Sequence, residues 1–330
     1  MEKSKRMINK EGRFGWNLAE KTMTHQDKYS LQLREAINYA MSPRDFFRPA
    51  IVSFCCQALG GASKDTIPCG ASLVLLGKAI GIHDDIIDNL KNRKKRQTVF
   101  GRFGKEIALI LSDVLSFKGF TLMRKSVEIG ISREKIARIL NTIDQIWSEQ
   151  AESEILELGS RRKIDISPEE CLEKIRMRAS EMETIARVGG ILANGSEKEI
   201  RNIGRYGRLL GTASLLRDEL IDMLEVDALR HRIRYESLPL PMLFSLADVD
   251  LRAKIAAMIA QKKPTNASLW EIFRISNDTG AINKVGEIIE KVVAEGSLCL
   301  HSLKDKTQEL SLLLHSLLIE QKDWRLIASF

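Results

Sequence analysis

A helix that is apolar on nearly every side belongs inside a bundle, and this chain carries two such stretches. They read "ASLVLLGKAIGIHDDIIDNL" (71–90) and "YGRLLGTASLLRDELIDMLE" (206–225). Each ends in acids at the same spacing: Asp84, Asp85 and Asp88 in the first, Asp218, Glu219 and Asp222 in the second. On a helix, i lies above i+4 and i+1 reaches i+4 across three residues, so each triplet directs its carboxylates toward one region. Ionised carboxylates inside an apolar bundle are strongly unfavourable unless they are paired or bound to metal. Ligation by carboxylate oxygen alone suits magnesium, which retains waters and binds substrate phosphates as well. Two facing triplets would hold several Mg2+ ions with a diphosphate between them. The plainer reading is a pair of solvated acidic helix ends. One D-D-x-x-D is a weak signal in a chain with 29% charged residues, whereas two copies on apolar helices favour the metal site.

The remaining pattern is helical too. "EKIARILNTIDQIWSEQ" sets Ile136, Ile139, Leu140, Ile143, Ile146 and Trp147 on one stripe. Ser167-Pro168-Glu169-Glu170 is a capping box with a first-turn proline, and Ser196 with Glu199 repeats the capping spacing. No period-2 strand, internal repeat or low-complexity linker stands out, and the seven prolines fall mostly between helical segments. The expectation is an all-α chain, one domain over residues 1–330 with ten or more helices.

Charge and composition narrow the partners. A net charge of +7 and a pI near 9.1 point to anionic ligands. With 6% aromatic residues a phosphate pocket is favoured over a base-stacking surface, and no nucleic-acid recognition motif accompanies the basic run Lys91, Arg93, Lys94, Lys95, Arg96. Of that run, Lys95 and Arg96 read as solvated; Arg201, Arg205 and Arg208 likewise read as a solvated helix face. Cys55, Cys56, Cys69, Cys171 and Cys299 are odd in number and irregularly spaced, as reduced core thiols of a cytoplasmic protein would be. The first residues carry no apolar signal segment, and Lys78 interrupts the best candidate for a membrane span, so the chain is expected not to cross a membrane. His83 reads as a helix hydrogen-bonding group.

These residues carry a resemblance. Over about residues 40–250 the chain resembles the trans-polyprenyl diphosphate synthases, the class I isoprenoid synthases. Asp84, Asp85 and Asp88 followed by Arg93-Lys94 match the family's first aspartate-rich motif and its arginine pair, and "GTASLLRDELID" matches its second motif. "FGKEIALILSDVL" is similar to the family's F-G-x-x-x-A-I-L-x-G-D stretch, "FFRPAIVSFCCQALGG" to its R-P helix, and "IRMRASEMETIARVGGILANG" to the helix that normally carries a lysine-threonine pair. The resemblance implies the isoprenoid synthase fold, an all-α bundle around a central cavity. It implies a Mg2+-dependent prenyltransferase that ionises an allylic prenyl diphosphate and condenses the cation with isopentenyl diphosphate. It further implies metal ligation by all six acids, allylic diphosphate on Arg93 and Arg178, isopentenyl diphosphate on Arg48 and Lys94, and a homodimer.

The departures from the family pattern cluster on one substrate. Asp45 stands where the family has a lysine, Gly77 where a histidine commonly precedes the first motif, Lys94 where the second arginine belongs, and Ser214-Leu215 where phenylalanine-glutamine precedes the second acids. "RHRIRYESLPLP" has arginines where the family has lysine. Three readings stay open in this order. They are a chain-elongating synthase with a divergent acceptor site; an enzyme that ionises a prenyl diphosphate without elongating it, such as a terpene cyclase; and a non-catalytic prenyl-binding subunit of a heteromer with another synthase. Ala79 and Ile80 before the first motif offer no aromatic plug, which by the same resemblance implies a cavity open beyond a short chain.

Overall fold

The computed structural model describes residues 2–24, 29–93, 96–261, 264–301, 303 and 307–318. Its α-helices are α1 (Glu2–Thr24), α2 (Leu31–Met41), α3 (Phe47–Ala58), α4 (Ile67–Ile87), α5 (Val99–Phe103), α6 (Lys105–Lys125), α7 (Arg133–Ser160), α8 (Pro168–Arg178), α9 (Ser180–Leu192), α10 (Glu197–Leu224), α11 (Val226–Tyr235), α12 (Leu240–Ser245), α13 (Val249–Ala260), α14 (Asn266–Asp278), α15 (Ala281–Leu300) and α16 (Thr307–His315). Among the described residues the strand content is a single antiparallel pair, β1 (Asn92–Arg93) and β2 (Arg96–Gln97). The fold is all-α, as the hydrophobic periods require. The hairpin escaped sequence reading because a run of charged residues has no apolar alternation to display.

The helices form two compact units. The first comprises Met1–Asp144, Thr184–Gly204 and Ser302–Leu310; the second comprises Gln145–Glu183, Arg205–His301 and Ser311–Phe330. In the first unit α4 is the central element, packed most extensively on α6 and also on α1 and α3. Pro68 sits in its first turn, where a missing N–H costs nothing. From Pro68 to Gly77 every residue of α4 is buried, which explains an apolar pattern without a polar side. Contact with α6 is backbone-close because Gly119 has no Cβ: one placed there would lie 2.9 Å from Leu76, and Ser72 Oγ donates to Gly119 O at 2.7 Å. Trp16, Ile37, Met41, Leu75, Leu111 and Leu115 fill this core, each contributing about 1.5–3 kcal/mol by burial.

By length and composition Ser63–Ile87 would cross a membrane, at a mean hydropathy of 1.3, yet 72% of its apolar window is buried inside the protein. It is a core helix. All five cysteines are buried and free, as the sequence suggests. Burial pushes the Cys56 thiol up to about 12 and Cys69 to about 11, so neither is a ready nucleophile.

The second unit packs α12 against α8, α14 and α15, and α11 against α13 and α14. Leu216, Leu220 and Met223 of α10, Leu229 and Ile233 of α11, and Leu240 and Met242 of α12 are all buried. The capping box at Ser167 and Glu170 forms in full, and Ser196 and Glu199 exchange the same pair of bonds. On α7, Ile136, Ile139 and Ile143 are buried, while Trp147 is 37% exposed and lies beyond the buried part of the stripe.

Candidate functional site

The first acidic motif closes α4. Asp84 and Asp85 lie in its last turn and Asp88 is its C-cap, with Asp88 N donating to Asp84 O at 2.8 Å and Leu90 N to Asp85 O at 2.8 Å. The chain then reverses through Asn89, whose φ of 52° is left-handed, a conformation asparagine tolerates. The reversal leads into the β1–β2 hairpin. From β1, Arg93 Nη2 reaches Asp85 Oδ1 at 3.1 Å, its own side chain remaining 68% exposed. Burial pushes the Asp85 carboxyl above its ordinary range; Arg93 pulls it back and the nearby Asp88 adds to the rise. All three carboxylates are half-buried.

The hairpin is held from α2. Arg96 Nη2 donates to Tyr39 O at 2.7 Å and its guanidinium stacks 4.1 Å from the Tyr39 ring centroid, while Tyr39 Oη donates to Gln97 O at 2.7 Å. Arg96, read from sequence as solvated, is therefore an anchor, and only spatial proximity to Tyr39 could have revealed it. Lys94 and Lys95 lie outside the described residues. His83 behaves as the sequence suggests: its Nε2 shares a hydrogen bond with Ser112 Oγ at 2.9 Å, and Ser112 also donates to Ala79 O. Ala79, expected near a cavity floor, is fully buried in the core of the first unit.

The departures around Arg48 fit one another. Asp45 Oδ2 accepts from Arg48 Nη1 at 2.5 Å, and its Oδ1 accepts from the backbone N–H groups of Phe47 and Arg48 at the start of α3. The Arg48 guanidinium lies close against Gly77, where a Cβ would stand 2.2 Å from Nε. Asp45 and Gly77 are thus two halves of one accommodation: one neutralises the arginine, and the other gives it room.

In the second unit the acids of α10 meet a different environment. Asp218 is exposed. Glu219 is 8% exposed and accepts from Arg232 Nη2 at 2.9 and 3.2 Å and from Leu240 N at 2.7 Å. Asp222 accepts from Arg232 Nη1 at 2.8 Å, and Arg232 Nε lies 3.1 Å from Glu236 Oε2. Burial works against the Arg232 charge, yet Glu219, Glu236, Asp222 and Glu157 outweigh it and hold the guanidinium well above its ordinary range. Two of the six acids expected to offer their carboxylates to metal, Glu219 and Asp222, are thus paired with Arg232 in this structure. Among the described residues no three acidic, histidine or cysteine side chains form a ready metal cage. Half-buried carboxylate oxygens at Asp84, Asp85 and Asp88 still match the hard-donor chemistry of Mg2+.

Beside this cluster, Glu157 pairs with Lys174 at 2.9 Å and accepts from Ser237 N at 2.6 Å. Burial alone would raise Glu157, but Lys174, Arg232 and the Ser237 backbone bond hold it down at about 2. Sequence reading missed Arg232, Glu157 and Lys174, since no spacing rule links positions so far apart in the chain. Arg178 ends α8 with Nε 3.8 Å from Glu154, and Gln150 donates to its carbonyl at 2.7 Å. Arg208 is not on a solvated face: it is half-buried and paired with Glu149 and Glu183.

The chain belongs to the polyprenyl synthetase family, whose model matches residues 31–275. It is 28% identical over 177 residues to a short chain isoprenyl diphosphate synthase of Methanothermobacter thermautotrophicus, covering 53% of each chain. It is 27% identical over 176 residues to the octaprenyl diphosphate synthase of Escherichia coli, covering 53% of this chain and 52% of that one. The chain thus spans about half the length of the relatives it matches by sequence. Structural likeness runs further: a geranylgeranyl pyrophosphate synthetase from Pyrococcus horikoshii superposes with a TM-score of 0.84 at 21% identity, over 97% of this chain and 99% of that one. A Caulobacter crescentus polyprenyl synthase, complexed with calcium and isoprenyl diphosphate, also gives 0.84, at 17% identity, over 96% of this chain and 98% of that one. At such identities the likeness establishes the isoprenoid synthase fold.

Proposed function

We propose that this protein is a Mg2+-dependent prenyltransferase that ionises an allylic prenyl diphosphate and joins the cation to isopentenyl diphosphate. The observation that carries this reading is the end of α4, where three half-buried aspartates fall within five residues and Asp85 pairs with the largely exposed Arg93. Bound Mg2+ would supply electrostatic stabilisation of the diphosphate as negative charge grows on it. Asp84, Asp85 and Asp88 would hold metal at the end of α4, and Asp218 would be a metal ligand on α10. Arg93 and Arg178 would orient the allylic diphosphate, and Arg48 with Lys94 the isopentenyl diphosphate. The allylic C–O bond breaks and its electron pair leaves with the diphosphate. The acceptor double bond then attacks the cation, and loss of a proton restores an alkene.

The Arg48–Asp45 pair over Gly77 favours a second reading, ionisation without elongation, because a neutralised arginine binds an acceptor diphosphate less strongly. Mass spectrometry of products with and without isopentenyl diphosphate separates the two: a longer chain only in its presence supports elongation, and identical products in both sets exclude it. Asp45→Asn keeps an acceptor for the α3 amides while removing the charge, and under the elongating reading it lowers the isopentenyl diphosphate KM by about fivefold, about 1 kcal/mol.

Homodimerisation in the cytoplasm belongs to the same proposal. The homodimer, not the compartment, is supported by the apolar side chains that α6 leaves exposed, Ile110 at 55%, Phe117 at 74% and Phe120 at 39%.

A further inference from the structure

The buried arginine of α11 changes what the second acidic motif can do. Arg232 contacts both Glu219 and Asp222, and it does so with different nitrogens of one rigid planar group. Its Nε lies 3.1 Å from Glu236, and it also donates to Ser237 O at 3.2 Å. Glu219 in turn accepts from the first amide of α12. The two acids are thus built into a fastening between α10, α11 and the start of α12. A guanidinium cannot be deprotonated in a protein and presents donors in a fixed fork that matches carboxylates. Extracting Glu219 for a divalent ion would leave Arg232 buried, 8% exposed, with fewer counter-charges, and would strand the Leu240 amide. Desolvated charges that lose a partner are strongly penalised.

We propose that Arg232 is a resident cation for the second acidic motif, a positioning residue that withholds Glu219 and Asp222 from metal. This inference rests on the metal-dependent reading above and narrows it: divalent cations at the second motif do not take these two carboxylates as ligands. The six-acid pattern then contains two kinds of acid, one set for an exchangeable ion and one for a permanent one.

The test is Mn2+ binding to the full-length protein, followed through the electron paramagnetic resonance signal of free Mn2+, with thermal melting as a check on folding. Asp84→Asn is expected to weaken Mn2+ binding by about tenfold or more, whereas Asp222→Asn, at a half-buried position, leaves affinity and stoichiometry within about twofold. Arg232→Gln releases both acids and is expected to add a bound Mn2+ or tighten binding by about tenfold. If Arg232→Gln fails to fold, Asp222→Asn and Glu219→Gln still decide the matter. Loss of Mn2+ in either of these folded variants, to the extent seen in Asp84→Asn, overturns the proposal and leaves the enzymatic reading standing. Indifference of Mn2+ binding to Asp84→Asn as well sinks the metal-dependent reading and this inference with it.

Discussion

The two acidic motifs share a spacing and an apolar helical setting, yet they differ in electrostatic state. At the end of α4 the acids are half-buried, and the ion pair seen there joins Asp85 to an arginine that is 68% exposed. On α10 the second and third acids are clamped by an arginine whose side chain is only 10% exposed, inside a wider network with Glu157, Lys174 and Glu236. A screened surface pair contributes little and exchanges readily, whereas a buried multivalent one is hard to dismantle. Carboxylates at D-D-x-x-D spacing can therefore serve chemistry or architecture. The partner each acid finds in three dimensions decides which.

This contrast can be broken in several places. If the α4 motif carries the chemistry, Asp84→Ala lowers magnesium-dependent diphosphate release from an allylic prenyl diphosphate by roughly 10²–10³-fold, read by a coupled phosphate assay. An unchanged rate would remove the basis for assigning the chemistry to this motif. If the α10 motif carries architecture, Arg232→Gln lowers the free energy of unfolding by about 3–5 kcal/mol in urea titration, because Glu219 remains buried, and Glu236 half-buried, without their cation. A loss below about 1 kcal/mol would place Arg232 among ordinary surface pairs.

Acid sharpens the same contrast. Glu157 lies at about 2 in the folded protein against an ordinary value of 4.5, so the unfolded chain binds its proton first. Its contribution is complete above pH 4.5 and is lost as pH falls through about 2, on the order of 3 kcal/mol in all. Glu157→Gln should flatten the urea-derived stability profile across that window, and an unaltered slope would remove Glu157 from the network. The smallest effect belongs to Arg93→Gln. Its exposed pair with Asp85 is worth less than about 1 kcal/mol of stability, measured by thermal melting, even where diphosphate release suffers.

What the sequence made legible was whatever depends on neighbours along a helix. Apolar character on nearly every side gave α4 and the second half of α10, and Ser167 with Glu170 gave the start of α8. The acid triplets, the buried thiols and a hydrogen-bonding role for His83 could be read before any coordinate, whereas its partner Ser112 could not. Long-range pairing stayed hidden. Arg232 meets Glu219 and Asp222 across a helix boundary, Arg208 meets Glu149 at a distance of 59 residues, and Arg96 stacks on Tyr39 of a distant helix. Charged residues carry no periodic signature of their partners, so each looked solvated or available. Asp45 and Gly77 were visible as departures one at a time. Only coordinates join them through the guanidinium of Arg48.

The location of Asp84, Asp85 and Asp88 at the finish of α4 has a thermal consequence. Backbone dipoles leave that terminus with about half an elementary negative charge, and a carboxylate held there is disfavoured by about 0.3–1 kcal/mol. Three such groups, with Arg93 already beside Asp85, let the tip of the helix gain from further positive charge. The melting temperature should therefore climb with millimolar magnesium and stay flat with sodium at matched ionic strength, turning a simple heating curve into a gauge of cation occupancy.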